Sequence, residues 1–196
     1  TLRSRIYGRE AILDSLTQAK TRGQEGLAAQ AKKEWSIENT SLSVCIMRMI
    51  NPVVSGTAFS ADTATGCRGT VRKDLVSIDT SYGLGEAVVG GRVTPDKLYV
   101  YQQDDGSEVV IRFMGSKTMK VVYDESGGTK EVPVPERECM LLARTPTQAE
   151  QVAKGVRAVS KAYDGMIMDT EFCIDSKGML WFVQARPETR WNEELA

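Results

Sequence analysis

Apolar and polar positions change their spacing three times along this chain, and each change predicts a different kind of element. In Thr1–Trp35 a thin stripe of Ile12, Leu13, Leu16 and Ala19 runs through Arg, Lys, Gln and Glu. The spacing predicts a helix over about Gly8–Lys20, a break around Gly23 and Gly26, and a second helix over about Leu27–Trp35. The stripe is too narrow for a core of its own, so residues 1–40 read as a helical segment that docks elsewhere or belongs to a neighbouring subdomain. From Ser41 the composition shifts, and residues 41–196 read as one lobe. Ser41–Ile50 reads as a buried strand, and Asn51-Pro52 separates it from a strand near Gly56–Phe59. Further strands are predicted at Asp74–Thr80, Lys97–Gln102, Val109–Met114, Thr118–Tyr123 and Thr129–Val134. Turns at Asp104-Asp105-Gly106 and Glu125-Ser126-Gly127-Gly128 make the middle of the chain an antiparallel meander. Helical spacing then returns in Ala149, Val152, Ala153, Val156, Val159 and Ala162. Thr145-Pro146-Thr147-Gln148 supplies an N-cap, a proline at the first helical position and a capping-box Gln, and Gly165 can end the helix in the left-handed conformation. Strands, one helix and a closing hairpin predict an α+β fold.

That hairpin is the most informative stretch. Two apolar-rich runs, Met166–Ile174 and Met179–Arg186, flank Asp175-Ser176-Lys177-Gly178. If Ile174 pairs with Met179, Asp169 lies opposite Gln184 and Ile167 opposite Arg186. Alternation then puts Asp169, Glu171, Gln184 and Arg186 on one face, whereas a slip of one residue would scatter them. Two readings fit such a face. One is a solvated sheet surface with a cross-strand ion pair. The other is a site for a phosphorylated ligand with a divalent cation, because carboxylate and amide oxygens suit Mg²⁺ and Arg suits phosphate.

Composition narrows the choice mainly by exclusion. The 196 residues carry 25 basic and 26 acidic side chains and a net charge of −1, which gives no electrostatic case for nucleic acid. No apolar run reaches the length that spans a bilayer, no signal peptide opens the chain, and an initial Thr suggests a fragment. Cys45, Cys67, Cys139 and Cys173 are scattered without metal-ligand spacing, as in a reduced cytoplasmic protein. Histidine is absent, which removes His-based hydrolysis, His-ligated metals and any phosphohistidine within the chain. The glycines of Ser81-Tyr82-Gly83-Leu84-Gly85-Glu86 are not a Walker loop, and by themselves they read as a strand-to-helix turn.

Five stretches in order resemble the nucleotide-binding domain shared by phosphoenolpyruvate synthase and pyruvate phosphate dikinase. They are the stretch from Ser55 to Gly66 (SGTAFSADTATG), Ser81–Val89 (SYGLGEAVV), Thr94-Pro95-Asp96 through Tyr99, Gly115-Ser116-Lys117, and Asp169-Thr170-Glu171 with Val183–Thr189 (VQARPET). The resemblance runs from about Val44 to Thr189. It implies an ATP-grasp fold that clamps ATP and Mg²⁺. By resemblance, Glu171 and Gln184 would ligate Mg²⁺, Arg186 would contact the transferring phosphate, and Asp169 would support that cluster. Glu86 would lie near the nucleotide and Met49 would approach the adenine. The family phosphorylates a histidine on a separate swivelling domain and passes the group to pyruvate at a third domain. This chain contains neither of those domains, and the upstream ATP-grasp lobe that supplies a Lys and an Arg is missing. It also has Met47 where the family commonly has Gln, and its segment Lys20–Asn39 does not align.

The resemblance therefore implies an ATP-dependent phosphotransferase lobe that is incomplete alone. Alternatives are the same module serving another acceptor, such as an antibiotic or a glucan, and a truncated, non-catalytic interaction module.

Overall fold

The computed structural model describes residues 46–62, 75–143 and 145–189. The chain divides into two compact units, Thr1–Met49 and Ile50–Ala196. The helices expected over Gly8–Lys20 and Leu27–Trp35 lie outside the described residues. In the first unit Ile46–Met49 form neither helix nor strand and are exposed, so the strand expected over Ser41–Ile50 is not found across 46–50. An apolar run becomes a buried strand only beside a ladder partner, and both neighbours of the first strand that follows come from elsewhere in the chain.

The second unit holds eight strands and three helices among its described residues. They are β1 (Pro52–Phe59), β2 (Leu75–Tyr82), α1 (Glu86–Val89), β3 (Asp96–Gln102), β4 (Glu108–Phe113), β5 (Met119–Tyr123) and β6 (Thr129–Pro133), followed by α2 (Glu136–Cys139), α3 (Pro146–Ala162), β7 (Met168–Asp175) and β8 (Leu180–Pro187). Six strands form one antiparallel sheet in the order β4-β3-β2-β1-β7-β8. The fold is α+β, as the pattern predicts. The expected meander is split, however, because β5 and β6 leave the sheet and form a ladder of their own, joined to the end of β2 by a single parallel bridge between Val121 and Gly83. Their apolar side chains Met119 and Val121 pack instead with Leu84, Ala87, Val88 and Val93 around α1.

Alternation gives the large sheet two unlike faces. Ala58, Val76, Ile78, Leu98, Val100, Phe172 and Ile174 form one core with Ala149, Val152, Ala153 and Val156 of α3. The helix starts where the sequence predicts: the Thr145 side chain accepts from the Gln148 N–H, and the Gln148 side chain answers to the Thr145 backbone. It ends one turn before Gly165, which takes φ of 76°. Ala162 is exposed rather than part of the apolar stripe, because the helix has already run past the sheet. Gly155 has a packing reason. A Cβ there would lie 2.5 Å from a ring carbon of Phe182, so the missing side chain lets β8 close against the helix.

One ion pair ties the loops to the sheet. Lys117 and Asp96 are fully buried, with Lys117 Nζ 2.5 Å from Asp96 Oδ1. The same ammonium donates to the carbonyls of Gly115 and Cys139, while the Asp96 carboxylate accepts from the N–H groups of Gly115 and Ala143. Every charge in the pair is thus matched by hydrogen bonds, the condition under which buried ions are tolerated.

Candidate functional site

The face turned away from α3 carries charged and hydroxyl side chains among aromatic and aliphatic ones, where the opposite face is mainly apolar. From the ladder registers, one row across it reads Phe113, Lys97, Asp79, Thr57, Glu171 and Gln184. The adjacent row reads Ile111, Tyr99, Ser77, Phe59, Asp169 and Arg186. Four side chains singled out in the terminal hairpin therefore meet on one surface.

Their register differs from the expected one. Asp169 pairs with Arg186 and Glu171 with Gln184, while Ile174 pairs with Leu180 rather than Met179. The turn causes the first displacement. The Asp175 carboxylate accepts from the N–H groups of Lys177 and Met179 and from the Trp181 indole, and Gly178 adopts φ of 81°. Those bonds hold the Asp175 carboxyl below its ordinary pKa, chiefly through the Met179 N–H. The loop closes one residue later than a four-residue count allows. Between Phe172–Phe182 and Glu171–Gln184 the register shifts again, leaving Val183 as a bulge. Leu180 and Phe182 can thus enter the α3 core while Gln184 and Arg186 turn to the opposite face. Strict alternation cannot satisfy both demands.

Within the constellation, Arg186 Nε and Nη2 approach Asp169 Oδ2 at 2.9 and 2.8 Å. Asp169 is only 14% exposed, whereas Arg186 is 66% exposed and keeps most of its guanidinium edge open to a ligand. The hydrogen bond and charge of Asp169 raise the Arg186 pKa above its already high ordinary value, so it stays cationic. Glu171 and Gln184 sit side by side as a carboxylate and an amide. Among the described residues no group of three or more His, Cys, Asp or Glu could hold a metal alone. Two oxygen donors nevertheless fit Mg²⁺, which commonly takes one or two protein ligands and completes its shell with phosphates and water.

The other expected site residues lie elsewhere. Glu86 opens α1 beyond the end of β2, where Tyr82 pairs with Val54; Asp169 pairs with Phe59 at the far end of β1. Its carboxylate is 2.7 Å from Arg92, which also meets Glu131 at 2.9 Å. Met49 belongs to the Thr1–Met49 unit. Cys173 shares the polar face but is buried, and burial above all pushes its thiol pKa up, so it is not an activated nucleophile. Thr57, Ser81 and Lys97 lie in the stretches quoted for the resemblance, but neither they nor Asp79 were assigned a site role from sequence. Strand alternation could place them on a face, but only the order of strands shows which face they share.

The profile described as "Pyruvate phosphate dikinase, AMP/ATP-binding domain" matches residues 6–196. This chain belongs to that family. It is 33% identical over 192 residues to a phosphoenolpyruvate synthase of Deinococcus radiodurans, covering 94% of this chain and 24% of that protein. It is 31% identical over 196 residues to the Escherichia coli phosphoenolpyruvate synthase, covering 94% of this chain and 24% of the other. A rifampicin phosphotransferase of Streptomyces sp. is 39% identical over 149 residues, covering 76% of this chain and 16% of that protein. The chain thus spans a quarter or less of the length of these relatives. Among the described residues no helix is long and apolar enough to cross a membrane.

Proposed function

We propose that this chain is the ATP- and Mg²⁺-binding lobe of an ATP-grasp-like phosphotransferase of the phosphoenolpyruvate synthase kind, working in the cytoplasm. The observation that carries the reading is the pairing of Glu171 with Gln184 beside Asp169 with Arg186 on one sheet face. Glu171 and Gln184 would hold the metal, which when bound neutralises phosphate charge. Arg186 donates hydrogen bonds to the phosphoryl group in transit, and Asp169 holds the guanidinium in the required orientation. Phosphoryl transfer asks mainly for such positioning and charge stabilisation. Met49 and Glu86 are the proposed nucleotide contacts, and Glu86 would exchange its Arg92 partner to serve as one. The phosphoryl group would pass to a histidine on a separate swivelling domain and then to pyruvate, with an upstream lobe completing the clamp. The chain alone would therefore bind nucleotide without completing transfer. A second reading, an antibiotic acceptor, is favoured by the similarity to a rifampicin phosphotransferase.

Calorimetric titration of Mg²⁺-ATP into this chain, into Glu171→Ala and into Gln184→Ala tests the site. Binding by the parent that either substitution abolishes supports it. Equal binding by all three removes the hairpin from the site. Within a longer enzyme carrying this chain, either change should slow ATP-dependent phosphorylation by about 10²-fold or more. Parallel assays with pyruvate and rifampicin as acceptors separate the two readings.

A further inference from the structure

Two buried polar side-chain atoms among the described residues have no hydrogen-bond partner, Asp79 Oδ1 and Ser81 Oγ. Buried polar atoms without partners are uncommon enough in folded proteins that each calls for an explanation. These two occupy successive positions of one face of β2, the same polar face that carries the hairpin constellation. Thr57 alone separates Asp79 from Glu171 along its row, and Ser55 separates Ser81 from Cys173 along the next.

The surroundings define what would satisfy them. Ser81 is 1% exposed, so bulk water does not solvate its hydroxyl. Its strand neighbours are already committed: Ser55 Oγ donates to the Gly83 carbonyl, and Thr80 Oγ1, on the opposite face, donates to the Ser55 carbonyl. Lys97 Nζ lies 3.5 Å from Asp79 Oδ1, near enough for charge attraction but without hydrogen-bond geometry. A carboxylate acceptor, a hydroxyl and an ammonium donor side by side suit a ligand rich in hydroxyl groups. A bare cation is disfavoured by the neighbouring ammonium. Asp79 stands two strands from Glu171, about 10 Å at the usual strand spacing. That separation is comparable to the reach of a triphosphate chain. Acidic side chains that accept from ribose hydroxyls recur in nucleotide sites.

We infer that Asp79 and Ser81 form a sugar-hydroxyl subsite that receives the ribose of the nucleotide whose phosphates lie over the hairpin, with Lys97 orienting Asp79. The inference rests on the nucleotide-binding reading above and assigns the part of the ligand between base and phosphates. Loss of Asp79 or Ser81 removes discrimination for the sugar and leaves the phosphate contacts in place.

The test compares ATP with 2′,3′-dideoxy-ATP, each with Mg²⁺, titrated calorimetrically into this chain, Asp79→Asn and Ser81→Ala. Thermal unfolding establishes that each variant is folded. The parent should bind ATP at least about tenfold more tightly than the dideoxy analogue, a ratio expected when a site's polar groups lose their partners. In the variants the ratio should fall toward one through weaker ATP binding, with affinity for the analogue unchanged. A parent that binds both nucleotides equally overturns the subsite and leaves the nucleotide site standing. Variants that keep the full ratio also overturn it. A parent that binds neither nucleotide overturns the nucleotide-binding reading of this chain and the subsite with it.

Discussion

Replacing Lys117 with Ala isolates the energetics of the one fully buried ion pair among the described residues. The substitution removes an ammonium that serves Asp96, Gly115 and Cys139 at once, and it strands a carboxylate with no exposed surface. Breaking a buried pair from one side costs about 3–5 kcal/mol, because the surviving charge keeps its desolvation penalty and loses its partner. The two N–H donors that remain to Asp96, from Gly115 and Ala143, pull the expectation toward the lower half of that range. The emptied methylene channel pulls it back up. For a unit of this size the fall in Tm should be roughly 6–20 °C. Far-UV circular dichroism during heating, with urea titration as a second probe, reads the loss. Lys117→Met in an Asp96→Asn background supplies the control, since the double change should cost less than the sum of the singles by about 0.5–3 kcal/mol. A loss under about 1 kcal/mol for Lys117→Ala, or strict additivity in the double variant, would refute the view that the pair acts as one unit.

Gly56→Ala should destabilise by about 1–3 kcal/mol, because the new Cβ would sit 2.1 Å from the backbone carbonyl oxygen of Asp79, which cannot move without parting β1 from β2. Unchanged thermal unfolding would contradict that. Thr145→Ala should cost about 1 kcal/mol through loss of the α3 N-cap, restored by Thr145→Ser, as read by urea unfolding. Asp79 carries the pH dependence. Burial raises its carboxyl pKa above 3.8, with Lys97 only partly offsetting that, so the folded protein holds this proton more tightly than the unfolded chain. Its contribution is favourable below the ordinary carboxyl range and is lost as pH rises through the folded-state pKa. Relative to the parent, Asp79→Asn should therefore gain in Tm as pH increases from about 4 to 7. A difference that stays flat or shrinks would reverse the assigned cause.

Much of this architecture was legible because period-two runs bounded by turn residues need little beyond local physics. β3, β4, β5 and β6 fall within one residue at each end of the predicted spans, and the Thr145 cap marks α3 correctly. What failed depended on partners that no local pattern names. Ser41–Ile50 has the composition of a core strand but Ile46–Ile50 finds no ladder. β5 and β6 read as sheet members yet pack around α1. The strand-to-helix turn read at Ser81–Glu86 does lead from β2 into α1, whereas the single turn at Glu136 was not anticipated. In the hairpin, the face shared by Asp169, Glu171, Gln184 and Arg186 was correctly grouped while every assumed pairing was off, because two displacements of one residue add to two and preserve parity. Asp79 and Ser81 drew no site assignment from sequence, although Ser81 opens a quoted stretch, because their interest lies in lacking a partner, which a sequence cannot display.

The bulge at Val183 makes the second half of β8 behave like a message read in a shifted frame. Upstream of it the strand spells out packing for the helix, and downstream it spells out a polar surface; one supernumerary residue changes the meaning of every position that follows. Substitutions and deletions should consequently obey different rules here. Losing Val183 merely straightens the ladder and leaves Gln184 opposite Glu171, whereas losing Ala185 would turn Arg186 toward the helix and detach it from Asp169. The spacing of β8 is thus as much a functional property as the identity of its side chains, and a count of residues carries information that no single residue holds.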